Sequence, residues 1–195
     1  NKYVSVSPPN YDGMKLKPYS WDFTPDAPAG LNDIRDPGAT WKHLDWFVKS
    51  TSLPVVLKGI MTAEDAILAV EHGASGIIVS NHGGRQLDTT YSTIEVLPGI
   101  VDAVNDGCEV YMDGGIRRGS DVLKALALGA RAVLIGRPIF WGLAVNGEDG
   151  VRDVIGILVE ELEMTMAMCG KSKLSDLARD MLGWGYPLER TLYNP

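Results

Sequence analysis

From Leu53 onward, short apolar runs alternate with amphipathic stretches, and the alternation repeats four times. The run Val55-Val56-Leu57-Lys58-Gly59-Ile60 is apolar at nearly consecutive positions, the pattern of a strand buried on both faces. Thr62, followed by Glu64 and Asp65, marks a helix start: a cap hydroxyl and first-turn acids satisfy free backbone N–H groups. Ala66, Leu68, Ala69 and Val70 continue that helix, and Gly73 ends it. The same reading predicts strands over 76–80, 110–113 and 132–136, with helices over about 93–104, 119–128 and 150–168. An earlier helix over about 40–49 carries Leu44 and Val48 on its apolar side. Residues 1–40 are rich in Pro, Gly, Asn, Asp and aromatics and show little periodicity, so they read as a long excursion ahead of a unit spanning 41–195.

Apolar strands alternating with helices imply a parallel sheet covered by helices. Two architectures meet that description: an open doubly wound sheet, or an arc of a (β/α)8 barrel. No Gly-x-Gly-x-x-Gly turn follows the first strand, and every strand has polar residues at its carboxyl end. Barrel enzymes keep their chemistry at that end, which favours the barrel arc.

Composition narrows the classes. The chain has 195 residues, 45% hydrophobic and 22% charged, which excludes a disordered chain or a coiled coil. A net charge of −7 argues against a nucleic-acid partner. No apolar run reaches the ~18 residues of a membrane span, and no cationic leader precedes an apolar core, so neither membrane insertion nor a signal peptide is expected. Cys108 and Cys169 are too few for a disulfide framework. The three histidines, His43, His72 and His82, stand far apart, so no metal centre is expected.

The candidate chemistry sits after the strands. Ser80-Asn81-His82-Gly83-Gly84-Arg85-Gln86 follows the second strand directly. An imidazole can take a proton near neutral pH, and a guanidinium three residues on matches a carboxylate. The plainer account is a polar loop with a satisfied histidine. Lys58 interrupts an apolar strand, so it either meets a ligand anion in the barrel mouth or snorkels to an edge. Asp113-Gly114-Gly115-Ile116-Arg117-Arg118 and Gly136-Arg137-Pro138 each place glycine and arginine at a strand end. Backbone N–H groups and arginines there make a phosphate cradle, and the last two loops of a barrel are its customary place. His72 reads as a helix-end residue and His43 as a surface residue. Leu162, Met164, Met166 and Met168 read as helix core, and Glu160, Glu161 and Glu163 as a solvated face.

The segment from Ser80 to Gln86 is similar to the active-site signature of the FMN-dependent α-hydroxy acid oxidases and dehydrogenases. Leu53-Pro54 through Gly59, Asp113 through Gly119, Leu123 through Ala130 and Ile135 through Pro138 resemble the same family in order and spacing, over roughly residues 40–170. The resemblance implies a (β/α)8 barrel with FMN at its carboxyl face, and this chain would hold only the last four βα units. It implies His82 as the base, Arg85 on the substrate carboxylate, and Lys58 beside the flavin pyrimidine edge. Ser80 would be a flavin contact, and Asp113, Gly114, Gly115, Arg117, Gly136 and Arg137 would bind the ribityl and phosphate groups. The implied reaction oxidises an (S)-2-hydroxy acid to the 2-oxo acid, with O2 accepting the electrons to give peroxide. A non-catalytic FMN- or phosphate-binding half barrel is the alternative. A homo-oligomer, a tetramer in the family, is implied as well. The family's location is peroxisomal in eukaryotes, with cytoplasm the alternative, although Leu192-Tyr193-Asn194-Pro195 is not a Ser-Lys-Leu address. A half barrel has two bare sheet edges, so the chain alone is expected to self-associate or need the other half; without the family's first half and its aspartate that orients the histidine, it is also expected to turn over little or no substrate.

Overall fold

The computed structural model describes residues 39–183, within the unit that starts at Trp41; the expected excursion over 1–40 lies almost wholly outside the described residues. Helix α1 (Trp41–Ser50) leads into β1 (Val56–Ile60), α2 (Ala63–Glu71), β2 (Gly76–Val79), α3 (Thr93–Val104), β3 (Glu109–Asp113), α4 (Gly119–Ala127), β4 (Ala132–Leu134) and α5 (Arg137–Met168). The strands are parallel and lie in the order β1-β2-β3-β4. A doubly wound sheet reverses its strand order at a switch point, and this sheet does not. Sequential parallel order carries every crossover the same way and puts the helices on one face, as in a barrel arc.

Strand alternation separates the two faces. Ile77, Val79, Val110 and Met112 point to the helix layer and are buried with Leu97, Ile100, Ala66 and Ala69. The opposite face carries Val56, Lys58, Ile78, Tyr111, Asp113 and Leu134, which are exposed or half-buried. The first strand was expected to be buried on both faces. Instead Val56 is 41% exposed, as is Leu134 at 39% on β4, because each edge strand has a single neighbour among the described strands. On the floor of the concave face the Tyr111 ring covers Gly76: a Cβ there would stand 3.1 Å from Tyr111 Cε2. The Tyr111 hydroxyl donates to Glu109, which raises its pKa above the usual phenol range.

The helix starts follow the polar signals. Thr62 Oγ1 accepts from the Asp65 amide at 3.2 Å, and Glu95 accepts from the Ser92 amide at 2.9 Å. His72 caps the end of α2, and its Nδ1 meets Asp45 Oδ1 at 2.7 Å while its ring stacks on Trp41. The contact pins α1 to α2.

Three expectations need correction. The last helix begins at Arg137 rather than near 150, with a break at Asn146 and Gly147. Pro138 is tolerated there because first-turn N–H groups need no helical partner. The break folds the two segments together so closely that a Cβ on Gly142 would lie 2.4 Å from the Gly150 carbonyl oxygen. Among the four residues read as helix core, Met166 is buried, but Met164 and Met168 are 54% and 79% exposed. Glu161 is not on a solvated face. Its carboxylate accepts from the Gly119 amide at 2.8 Å and lies 3.7 Å from Arg118, at the start of α4.

Candidate functional site

The carboxyl ends of the four strands open into a cavity of about 330 Å³ lined by Lys58, His82, Arg85, Asp113, Arg117, Arg137 and the glycines between them. Each side chain arrives on a different local device. Lys58 lies on the concave face of β1, just before a register shift against β2. Gly59, at φ +103, takes up that irregularity, while Lys58, still in register with Ile78, lies on the concave face by strand alternation. Its Nζ donates to Ser80 Oγ at 2.7 Å and pairs with Asp113 Oδ2 at 2.9 Å. The sequence left two destinations for this lysine, and the geometry selects the cavity.

Ser80 is 3% exposed and accepts two hydrogen bonds, one from Lys58 and one from the His82 amide at 3.1 Å. It therefore ties the lysine to the first residue of the histidine loop. His82 itself sits at φ 56, a left-handed conformation uncommon for a side chain with a Cβ. Gly83 and Gly84 follow at φ 68 and 72, so three successive left-handed residues curl the loop back over the strand end. Asn81 Oδ1 accepts from the Gly84 amide at 3.1 Å and closes the turn. Arg85 Nε donates to the His82 carbonyl at 3.3 Å, which keeps the guanidinium beside the histidine and exposed. The imidazole and guanidinium thus share one rim of the cavity.

The opposite rim is built from the other two loops. Gly114 and Gly115, at φ 89 and 76, turn the chain after β3. The following helix α4 is capped by Asp121, whose carboxylate accepts from the Arg117 and Arg118 amides at 3.2 and 3.1 Å. The Arg117 guanidinium lies over the Trp141 ring at 5.5 Å, a cation–π contact that ties it to α5. Gly136 precedes α5, and Arg137 Nη2 donates to the Gly83 carbonyl at 3.0 Å, so the loop after β4 touches the histidine loop. The cavity is cationic: Lys58, Arg85, Arg117 and Arg137 stand around one carboxylate, Asp113.

All ten residues singled out from the sequence meet here: nine line the cavity, and Ser80 stands behind Lys58. Sequence reasoning missed Thr93, Asn81 and Phe140. Thr93 Oγ1 donates to the Asp113 carbonyl at 2.6 Å, and Phe140 lines the cavity from the first turn of α5. A threonine beside a helix cap carries no sequence signal that separates capping from a tertiary contact.

The profile of the FMN-dependent dehydrogenases matches residues 9–184. The match begins well ahead of the part from which the resemblance was drawn, so the leading segment belongs to the same pattern. The chain is 48% identical over 92% of its length to a peroxisomal (S)-2-hydroxyacid oxidase of Arabidopsis thaliana, covering 50% of that protein. It is 58% identical over 69% of its length to human 2-hydroxyacid oxidase 1, covering 36% of it. An L-lactate oxidase of Nostoc is 54% identical over 75% of the chain, 40% of that protein being covered. A crystal structure of mandelate oxidase with benzoyl-formic acid superposes with a TM-score of 0.70 at 55% identity, over 72% of this chain and 42% of that one. The chain therefore spans about half the length of the curated relatives it matches.

The site fits the FMN that the family's name carries. Asp113 Oδ1 is buried and has no hydrogen-bond partner among the described residues, an acceptor left over for a hydroxyl donor. Gly115 and Gly136 leave open space where a Cβ would stand, so a ligand could approach their backbone. Arg117 and Arg137 supply the charge an anionic phosphate requires.

Proposed function

Because the chain belongs to the FMN-dependent dehydrogenase family, we propose that its strand-end face is the flavin and substrate site of an enzyme that oxidises a 2-hydroxy acid to the 2-oxo acid. The acceptor in this reading is O2, and the product beside the oxo acid is hydrogen peroxide. The observation that carries the reading is the convergence of Lys58, His82, Arg85, Asp113, Arg117 and Arg137 on one cavity from all four strand ends. Binding a phosphate alone would need only the two glycine-arginine loops. The His82–Arg85 pair on the same cavity is what favours catalysis.

Bound there, FMN supplies a two-electron acceptor, which the twenty side chains do not provide. Asp113, Gly114, Gly115, Arg117, Gly136 and Arg137 would hold its ribityl and phosphate groups, and Lys58 and Ser80 its ring system. Arg85 binds the substrate carboxylate and sets its orientation, since a guanidinium fork accepts only a coplanar carboxylate well. His82 accepts the proton released as the substrate's α-carbon gives up two electrons. Its exposure on the cavity rim leaves the imidazole free to reach a ligand.

The competent unit is the complete barrel of eight βα units, and this chain carries the half that binds the phosphate and bears the base. Taken alone it turns over slowly or not at all. The whole protein is a homo-oligomer in this reading, and its location in a eukaryotic source is the peroxisome, as named for the Arabidopsis relative.

An FMN titration of the purified chain, followed by flavin absorbance and fluorescence, tests the cofactor half. Saturable binding that weakens on Arg137→Leu is expected, and an absence of saturable binding would overturn the assignment for this chain. Glycolate, lactate and longer 2-hydroxy acids are then added anaerobically and flavin reduction is followed over hours. Reduction that survives His82→Gln undiminished would remove His82 from the base role.

A further inference from the structure

We infer that Thr93 is a positioning residue for the loop after β3, holding the Asp113-Gly114 turn in the shape that a phosphorylated cofactor needs. The effect on the cofactor rests on the flavin reading above; the effect on the loop does not.

Thr93 is the first residue of α3 and is 3% exposed. That helix start is already served without it: Glu95 accepts from the Ser92 amide at 2.9 Å and from the Ser92 hydroxyl at 2.5 Å. A buried hydroxyl costs free energy unless it is hydrogen-bonded, and a valine would fill the same volume. The hydroxyl must therefore be accounted for elsewhere. It donates to the Asp113 carbonyl at 2.6 Å and lies 3.4 Å from the Gly114 carbonyl. A single proton makes one good bond, so the second carbonyl is steered rather than bound.

The contact is close. A Cβ on Gly114 would stand 3.1 Å from Thr93 Oγ1 and 3.4 Å from Asn81 Oδ1. The turn is thus seated on Asn81 from the β2–α3 connection and on Thr93 from the first turn of α3. Gly114 and Gly115 are both left-handed, and glycines give the backbone little preference of its own at such positions. An external bond is what selects one conformation. Lys58 holds the Asp113 side chain by its Oδ2, and Thr93 holds the backbone of the same residue. Together they leave Oδ1 buried and without a partner among the described residues. Thr93 also opens the helix that directly follows the His82 loop, so one hydroxyl registers the end of the base-bearing connection against the glycine loop.

Thr93→Val removes the hydroxyl and keeps the shape, while Thr93→Ser keeps the hydroxyl. Backbone 15N order parameters of the full chain, with no flavin added, are expected to fall at Gly114 and Gly115 in the valine variant, from about 0.85 toward 0.6. They return in the serine variant, and those of β2 and β3 stay rigid throughout. FMN affinity is expected to drop by about five- to tenfold in Thr93→Val, the equivalent of one lost hydrogen bond, and to recover in Thr93→Ser. Unchanged glycine dynamics in Thr93→Val would overturn the inference. So would loosening of the whole sheet in both Thr93→Val and Thr93→Ala, which would make the residue a general packing element. Equal FMN affinity in Thr93→Val and the unmodified chain would also refute its role toward the cofactor. If the unmodified chain binds no FMN, the cofactor assignment for this chain fails, and the order parameters alone decide the role of Thr93.

Discussion

Replacing Lys58 with methionine isolates the electrostatics of the site from its chemistry. Asp113 has two carboxylate oxygens: Oδ2 pairs with Lys58 Nζ at 2.9 Å, and Oδ1 is buried with no partner among the described residues. Lys58→Met keeps the stem and removes the charge, leaving a carboxylate with only 19% of its side chain in contact with water. Breaking a fully buried pair typically costs 3–5 kcal/mol, and an exposed pair contributes 1 kcal/mol or less. Lys58 is 42% exposed, so solvent screens much of its half of the interaction. A cost of about 1–2 kcal/mol lies between those limits. In a unit of this size that corresponds to a fall in Tm of roughly 3–6 °C. Urea denaturation of Lys58→Met, Asp113→Asn and the double variant would measure it as a coupling energy. Asp113→Asn removes the stranded charge, so the double variant should regain about 1 kcal/mol over Lys58→Met alone. A coupling energy indistinguishable from zero would refute the reasoning, because it would mean water already solvates Asp113 in place of the lysine.

Three other outcomes follow from the geometry. Gly119→Ala puts a Cβ 2.1 Å from the Leu162 amide nitrogen, where backbone must move, so the start of α4 should part from α5 at a cost of about 1–3 kcal/mol or more, read from the denaturation midpoint. Arg179 holds the Asp102 carboxyl below the usual carboxylate range, chiefly through their hydrogen bond. A lowered carboxyl stabilises fully above its ordinary pKa, near 4, and loses that contribution as pH falls through the lowered value. The tie between Arg179 and α3 should therefore loosen only in acid, seen as faster amide exchange around 179–182, and Arg179→Met should abolish that acid dependence. Among the described strands the outer edges of β1 and β4 have no neighbour, and Val56 and Leu134 are exposed beside them, so the isolated chain should self-associate. A monodisperse monomer in sedimentation velocity would show that something else covers those edges.

Local signals read well where the cause is local. Thr62 caps a helix, Gly73 ends it, and the strand centres fall where the apolar runs stand, because hydrogen bonding and burial there depend on neighbours within a few residues. Reading failed where the deciding partner was remote. Val56 was expected in a core, yet it lies on an edge, because the number of neighbouring strands is not written in a strand's own residues. Glu161 looked like one of three solvated acids until α5 packed against α4 and set it on the Gly119 amide. The helix from Arg137 was hidden because Gly136-Arg137-Pro138 spells a turn as readily as a helix start.

The candidate site divides along the same line. Residue types at strand ends, and their similarity to a known signature, were enough to name Lys58, Ser80, His82, Arg85, Asp113, Gly114, Gly115, Arg117, Gly136 and Arg137 as a set. Parallel strands in sequential order bring their carboxyl ends to one side, so assembling those residues needed no more than the correct topology. The tertiary structure alone decided which way Lys58 points, which oxygen of Asp113 it takes, and that Thr93 holds the turn beneath them. Those choices depend on the register of neighbouring strands and on side chains 20 or more residues apart meeting within hydrogen-bond distance. Chain pattern records periodicity over a turn or a strand. Distances of that kind are fixed only when helices and sheet have packed, since packing converts a one-dimensional order of residues into a unique set of contacts.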